Sequence, residues 1–305
     1  MPITKVEKIW FNGKLVGWDD ARIHILTHAL HYGSGVFEGI RCYNTGRGPA
    51  VFRLKDHLLR LENSAKVYAM KLPYTVEALC KATKDLIKAN RLRECYIRPI
   101  VYRGYGEMGL NPLKAPIDSA IAVWPWGTYL GEDGLKNGIR VKISSYERIN
   151  SNVMPTQAKA TGQYINSILA KIEALGCGYN EALMLDNRGL ISEGPGENIF
   201  IVKDGMLFTP PSHASILAGI TRDSIIQLAS GLKMPVCITD LDRGMLYSSD
   251  EAFFTGTAAE VTPIREVDHV TIGKPGPITK KLQTAFFKAA KGKTKKYGKW
   301  LDYVK

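Results

Sequence analysis

Short apolar runs joined by tight-turn residues recur along this chain and restrict it to sheets with hairpin connections. Residues 8–11 and 14–16 flank Asn12-Gly13, a strong hairpin signal. Residues 182–185 turn at Asp186-Asn187-Arg188-Gly189 into Leu190-Ile191, and residues 199–202 turn at Lys203-Asp204-Gly205 into 206–208. Further strands are expected at 50–53, 96–102, 120–124 and 139–143, with Pro99 marking the second as an edge or a bulge. Helical spacing appears between them. Asp56 is placed to cap a helix to about Met70, with Leu58, Leu61, Ala65 and Tyr68 on one face. A second helix is expected over 76–90. A third covers 163–175, where Ile165, Ile168, Leu169, Ile172 and Leu175 recur at helical spacing, and others start near Thr221 and Thr279. The mixture is α+β, not a regular βαβ alternation. Residues 125–134 are punctuated by Pro and Gly without apolar periodicity, as a linker would be.

With 45% hydrophobic and 23% charged residues, the 305-residue chain can bury an ordinary core. No run approaches the roughly 18 apolar residues of a membrane span. Residues 1–5 lack a signal-peptide core, so a soluble, cytoplasmic protein is expected. Five widely spaced cysteines, with no Cys-x-x-Cys, indicate neither a disulfide framework nor a zinc site, and no metal is expected. The formal charge is +12, much of it in Lys288, Lys291, Lys293, Lys295, Lys296 and Lys299. No nucleic-acid motif accompanies that tail, which reads as a solvated end. The overall field still favours anionic substrates or a cofactor phosphate.

Lys159 lies in a polar stretch with no acidic neighbour, directly before a helical pattern. A lysine amine is a nucleophile toward carbonyls and pyridoxal phosphate once it loses its proton. Glu193, in Ser192-Glu193-Gly194-Pro195-Gly196-Glu197-Asn198, can face a pyridine nitrogen, although such a loop alone reads as a solvated turn. Gly219-Ile220-Thr221 enters a helix whose N-terminus suits a phosphate. Gly256-Thr257-Ala258 is a second small-residue loop able to offer N–H groups to an anion. Arg60 lies on the helix face away from Leu58 and Leu61, facing either a phosphate or water. Aromatic and polar clusters occur at residues 31–39, at Tyr96-Ile97-Arg98, and at Trp126 with Tyr129.

In order, His28-Ala29-Leu30-His31-Tyr32-Gly33, Val36-Phe37-Glu38-Gly39-Ile40-Arg41, Tyr96-Ile97-Arg98-Pro99, Met108-Gly109-Leu110-Asn111-Pro112, Ala158-Lys159-Ala160, Ser192-Glu193-Gly194, Gly219-Ile220-Thr221-Arg222 and Gly256-Thr257-Ala258 span nearly the whole chain. In them the sequence resembles the branched-chain aminotransferases of the fold-type-IV pyridoxal-phosphate class. The resemblance implies an α+β chain with a small N-terminal α/β domain (1–124), an interdomain loop (125–135) acting as a lid, and a larger C-terminal domain (136–305) with a β-rich, barrel-like core. The cofactor, pyridoxal 5'-phosphate, is expected between the domains. Lys159 would hold it as a Schiff base and move the proton between substrate Cα and cofactor C4′. Tyr164 would meet the phenolic oxygen and Glu193 the pyridine nitrogen. Arg60, Gly219, Ile220, Thr221, Gly256 and Thr257 would serve the phosphate, and Leu217 would pack on the ring. The substrate α-carboxylate would meet Tyr96 and the backbone of Thr257 and Ala258. Tyr32, Phe37, Trp126 and Tyr129 would wall the side-chain pocket.

Arg98 would bind the distal carboxylate of glutamate in a pocket that also accepts an apolar chain. The implied reaction moves the amino group of L-leucine, L-isoleucine or L-valine to 2-oxoglutarate, giving a branched-chain 2-oxo acid and L-glutamate. A homodimer or larger homo-oligomer is implied, with 108–111 acting across an interface. A D-amino-acid aminotransferase or an aminodeoxychorismate-lyase-like enzyme would share Lys159, Glu193 and the phosphate loops. The Tyr96–Arg98 segment and the Trp126–Tyr129 loop favour the branched-chain reading.

Overall fold

A computed structural model describes residues 3–127 and 129–305. In chain order the elements begin with β1 (Lys8–Phe11), β2 (Lys14–Gly17), α1 (His28–Tyr32), β3 (Gly35–Phe37), β4 (Ile40–Thr45) and β5 (Gly48–Phe52). Next come α2 (Leu54–Val67), α3 (Val76–Ala89), β6 (Cys95–Arg103) and β7 (Ile117–Trp124). Then follow α4 (Gly131–Asn137), β8 (Ile139–Ile143), α5 (Tyr164–Gly176), β9 (Glu181–Leu183), β10 (Asn198–Lys203) and β11 (Met206–Thr209). The chain continues through α6 (Ile220–Gly231), β12 (Val236–Ile238), α7 (Arg243–Tyr247), β13 (Glu251–Gly256), β14 (Glu260–Val267), β15 (Val270–Thr271), α8 (Pro277–Ala290) and β16 (Leu301–Tyr303).

Two compact units divide these elements. The first takes the chain up to Trp126, together with Ala158–Gly162 and Ala289–Lys305; the second takes Gly127–Gln157 and Gln163–Lys288. The crossover at Trp126–Gly127 falls inside the expected 125–135 loop. Lys159 and the C-terminal segment cluster with the first unit, whereas the sequence places them in a 136–305 domain. Part of the expected loop is helical, since α4 starts at Gly131.

The first unit holds a sheet of order β16-β5-β4-β6-β7-β1-β2, with β3 beside β6. Its β1–β2 turn puts Asn12 and Gly13 at φ 43 and 87, the left-handed backbone that Asn-Gly supplies. Helices α2 and α3 bury Leu58, Leu61, Leu79 and Leu86 in one core with Ile40, Ile97 and Val123. Asp56 lies in the first turn of α2 and is not its cap. Arg53 holds the cap position, and the Asp56 carboxylate accepts from Arg53 Nε. The strand around Pro99 is neither an edge nor bulged, because β6 pairs with β7 on one side and with β4 and β3 in succession on the other. The partner changes at Glu38 and Gly39, between β3 and β4. Pro99 has no N–H to place there, and its carbonyl accepts the Glu38 amide at 2.9 Å.

The second unit holds a sheet of order β12-β11-β10-β13-β14-β8-β9, with β15 beside β14. Its β10–β11 hairpin turns through Asp204 and Gly205, at φ 50 and 76. Helix α5 packs a small-residue face, Ala170 and Ala174, against Tyr179, Ala182 and Met184. The Ile and Leu stripe that marks this helix in the sequence is its exposed side.

Candidate active site

In the first unit, residues 158–160 lie along β3 as a short added strand, with Val36 bridged to Ala160. The Phe37 N–H donates to the Lys159 carbonyl at 3.0 Å, and the Lys159 N–H donates to Ser64 Oγ at 3.0 Å. Buried alanines flank it on both sides. Both backbone polar groups of Lys159 are therefore pinned, and its half-buried side chain starts from a fixed point. Its Nζ stands 5.1 Å from the centre of the Phe37 ring.

Ser64 belongs to a face of α2 that also presents His57 and Arg60, since residues three and four apart stack along a helix. Glu38, fully buried, accepts from two of these side chains. Arg60 donates to its two oxygens from Nε at 2.7 Å and Nη2 at 2.8 Å, and His57 Nδ1 donates at 2.8 Å. Burial pushes the Glu38 carboxyl up, but the Arg60 guanidinium and the hydrogen bonds outweigh it and hold the group below the ordinary carboxylate range. Burial pushes the His57 imidazole below its ordinary value against the pull of Glu38, with the Arg60 and Lys159 charges assisting. His57 is thus a neutral donor, and Arg60 is an arginine of fixed direction.

Tyr96 and Arg98 project from the same side of β6. The Arg98 guanidinium lies 4.7 Å from the Phe37 ring centre and 5.3 Å from that of Tyr96, and its Nη2 donates to the Tyr96 hydroxyl at 3.2 Å. Its Nε is buried and finds no acceptor among the described residues. Trp126 stands edge-on to Tyr96 at 4.3 Å. Gly39 makes room for this cluster, because a Cβ there would sit 2.0 Å from the Tyr96 hydroxyl. The same side of the sheet bears an apolar cavity of about 380 Å³, lined by Ile9, Phe11, Ile23, Leu30, Arg98 and Tyr102 among others. Tyr32 is 44% exposed and packs on His28 at 4.6 Å.

The second unit gathers the other expected residues. Glu193 is buried and accepts from Arg148 Nε at 2.9 Å, from Asn198 Nδ2 at 3.0 Å and from the Leu217 N–H at 3.0 Å. Asn198 also donates to the Leu217 carbonyl at 3.0 Å. Leu217 precedes the turn into α6, where Gly219 is the N-cap and Ile220 and Thr221 open the helix. A Cβ on Gly219 would lie 1.9 Å from Asn198 Oδ1, so the glycine is what lets the Glu193 loop and the helix start meet. A Cβ on Gly256 would approach the Gly196 carbonyl at 3.2 Å, so the 256–258 turn borders the same loop. Tyr164 opens α5, and Arg148 Nη1 reaches Asn166 on that helix at 3.4 Å. Tyr129 belongs to this unit, where Lys171 Nζ stands 5.6 Å from its ring, whereas Tyr32, Phe37, Tyr96, Arg98 and Trp126 all lie in the first. Beside Glu193, the Glu197 carboxyl is pushed up to about 8 by burial and then by the Glu181 charge.

Sequence reasoning omits five of these side chains: Glu38, His57, Ser64, Arg148 and Asn198. Glu38 and Asn198 stand within motifs that it quotes. Arg148 follows β8 in a stretch with no pattern, 45 residues from its partner, and carries no local signal.

The profile of the family described as "Amino-transferase class IV" matches residues 35–267. The chain belongs to that family. A relative named branched-chain-amino-acid aminotransferase, from Escherichia coli (strain K12), is 48% identical over 100% of this chain and 99% of its own length. One of the same name from Pseudomonas aeruginosa is 48% identical over 97% of each chain. Among solved structures, the Escherichia coli branched-chain amino acid aminotransferase matches with TM-score 0.97 at 48% identity, covering 99% of this chain and 100% of its own. The T.th. branched-chain amino acid aminotransferase with pyridoxamine 5'-phosphate matches with TM-score 0.96 at 46% identity, covering 99% of each chain. The fold of this class IV aminotransferase is thus the two-sheet α+β fold of fold type IV.

Proposed function

We propose that this class IV aminotransferase transfers the amino group of L-leucine, L-isoleucine or L-valine to 2-oxoglutarate, releasing a branched-chain 2-oxo acid and L-glutamate. Full-length relatives at 48% identity carry the branched-chain name, and a neighbouring structure at TM-score 0.93 holds N-(5'-phosphopyridoxyl)-L-glutamate. Pyridoxal 5'-phosphate, when bound, supplies the electron sink that stabilises negative charge at the substrate Cα. The donor set suits it. A buried carboxylate, Glu193, matches a pyridinium N–H. The N-terminus of the 12-residue α6 matches a phosphate.

Lys159 supplies the amine that holds the cofactor and, once released, carries the proton at the substrate Cα. Its clamped backbone limits where that amine can reach. Tyr164 orients the phenolic oxygen, and Glu193, fixed by Arg148 and Asn198, keeps the ring nitrogen protonated. Arg60, steered by Glu38, joins Gly219, Ile220, Thr221, Gly256 and Thr257 at the phosphate, and Leu217 packs on the ring. Tyr96, Thr257 and Ala258 take the substrate α-carboxylate. Tyr32, Phe37, Trp126 and Tyr129 take its side chain.

Arg98 carries the dual substrate choice. Its Nε is buried without an acceptor while its guanidinium rests against the rings of Phe37 and Tyr96. A buried donor left unmade is costly, and a glutamate or 2-oxoglutarate carboxylate satisfies it, while the rings suit a branched aliphatic chain. A donor panel with 2-oxoglutarate tests the reading. L-leucine, L-isoleucine and L-valine should turn over and D-alanine should not; preference for D-alanine would overturn it.

The protein acts as a homodimer or larger homo-oligomer, with residues 108–111 reaching a second subunit. Leu110 in that segment is 89% exposed in the single chain. Five unpaired thiols suit the reducing cytoplasm.

A further inference from the structure

Two charged side chains of the second unit have no part in the chemistry above. Glu181 is fully buried at the start of β9, and Lys171 stands on α5. A buried carboxylate is costly unless it is paired and hydrogen-bonded. One Glu181 oxygen accepts the Ala182 N–H at 3.0 Å, and the other accepts from Lys171 Nζ at 2.8 Å. Lys171 Nζ also donates to the Asn180 carbonyl at 2.7 Å.

A lysine side chain is long and ordinarily mobile, with its charge in water. This one is fixed at its tip by two acceptors. An ammonium has three N–H donors, and Glu181 and Asn180 take two of them. The ring of Tyr129 lies 5.6 Å from the same Nζ, within the reach at which a ring face attracts a cation. A lysine that only neutralised Glu181 could set its ammonium anywhere around the carboxylate. The Asn180 carbonyl selects a position that is also beside Tyr129.

Tyr129 depends on such support. It precedes α4 in the Pro- and Gly-punctuated stretch that joins the two units, and 37% of it is exposed. A side chain on a loop takes its direction from what the rest of the fold offers it. Helix α5 and strand β9 are regular elements of the second-unit core, and through Lys171 they offer a fixed charge.

We propose that Lys171 is a positioning residue for substrate selection: anchored on Glu181 and Asn180, its ammonium holds the Tyr129 ring as a wall of the substrate side-chain pocket. The proposal rests on the reading of Tyr129 as such a wall. Lys171 acts through that ring and not on the reacting atoms. Amino acids whose side chains extend to the wall, such as L-leucine, therefore depend on Lys171. L-alanine, whose side chain ends at its methyl group, does not.

Single-turnover kinetics of the holoenzyme, followed by cofactor absorbance with L-leucine and with L-alanine, test this through the ratio of the two kcat/KM values. Lys171→Met should lower the L-leucine to L-alanine ratio about threefold, the size of one cation–ring contact. A merely loosened fold would lower both constants together and leave the ratio alone. Because Lys171→Met leaves a buried carboxylate unpaired, Lys171→Met with Glu181→Gln is the second variant; it strands no charge and should show the same fall. Tyr129→Leu should also lower the ratio, and adding Lys171→Met to it should change the ratio no further, since the ring is already gone. A ratio unchanged in both Lys171 variants but lowered in Tyr129→Leu overturns the role of Lys171 and leaves Tyr129 in the wall. A further threefold fall when Lys171→Met joins Tyr129→Leu overturns it as well. A ratio unchanged in Tyr129→Leu removes that residue from the pocket and overturns the proposal together with the reading beneath it.

Discussion

At the residue scale, the buried Glu193–Arg148 pair holds the carboxylate proposed to face the cofactor ring. Both side chains are about nine-tenths or more buried, so removing one partner strands a charge away from water. Arg148→Met should cost about 3 kcal/mol of stability in urea unfolding and weaken cofactor retention. A loss under about 0.5 kcal/mol would show that Arg148 is not what holds Glu193. Titration gives a second residue-scale test. Glu197 keeps its proton in the folded chain up to about pH 8, while a glutamate in the unfolded chain loses it near 4.5. The unfolded state therefore binds fewer protons between these values, and stability falls as pH rises through that window. Glu197→Gln should raise the unfolding free energy measured in urea by at least about 1 kcal/mol at pH 8 and change it little at pH 4.5. A gain equal at both pH values would contradict this. His57 and Glu38 act on the acid side. Both are depressed when folded, so their stability is full above their unfolded values and is lost as pH falls toward the folded ones.

At the element scale, the start of α6 is a packing solution as well as the proposed phosphate site. Gly219→Ala would force Asn198 off Glu193 and Leu217, and should cost about 1–3 kcal/mol together with cofactor retention. Full occupancy in the purified variant would contradict that. Thr75→Ala should cost about 1 kcal/mol by removing the cap that Ala78 N–H donates to at the start of α3, and thermal unfolding would show it. What the sequence disclosed at this scale was local. The hairpins at Asn12-Gly13 and Asp204-Gly205 were legible because turn residues declare their own backbone. The long-range partners were not legible. Glu38 meets Arg60 across 22 residues, and Arg148 meets Glu193 across 45, with no pattern to announce either. Pro99 misled because its missing N–H signals a sheet edge unless a neighbouring strand breaks opposite it, which β3 and β4 do. In α5 the period was right and gave the helix, but periodicity does not say which face is inside; there the small residues are buried.

At the scale of the whole molecule, the expected cofactor handles divide between two compact units. The first carries Lys159, Arg60 and the Phe37–Tyr96–Arg98 cluster. The second carries Tyr164, Glu193, Leu217, Thr221 and Thr257. Kinetics separate the roles within the first. Arg98→Ala should raise KM for 2-oxoglutarate at least about tenfold more than KM for L-leucine, since only the former brings a distal carboxylate. Equal losses would refute the carboxylate role. The central claim is that Lys159 holds pyridoxal 5'-phosphate. Reducing the holoenzyme with borohydride, digesting it and mapping the modified peptide by mass spectrometry tests it most directly. A stable phosphopyridoxyl adduct on Lys159, absent from Lys159→Ala, is the predicted result; no adduct, or one on another lysine, would contradict the account.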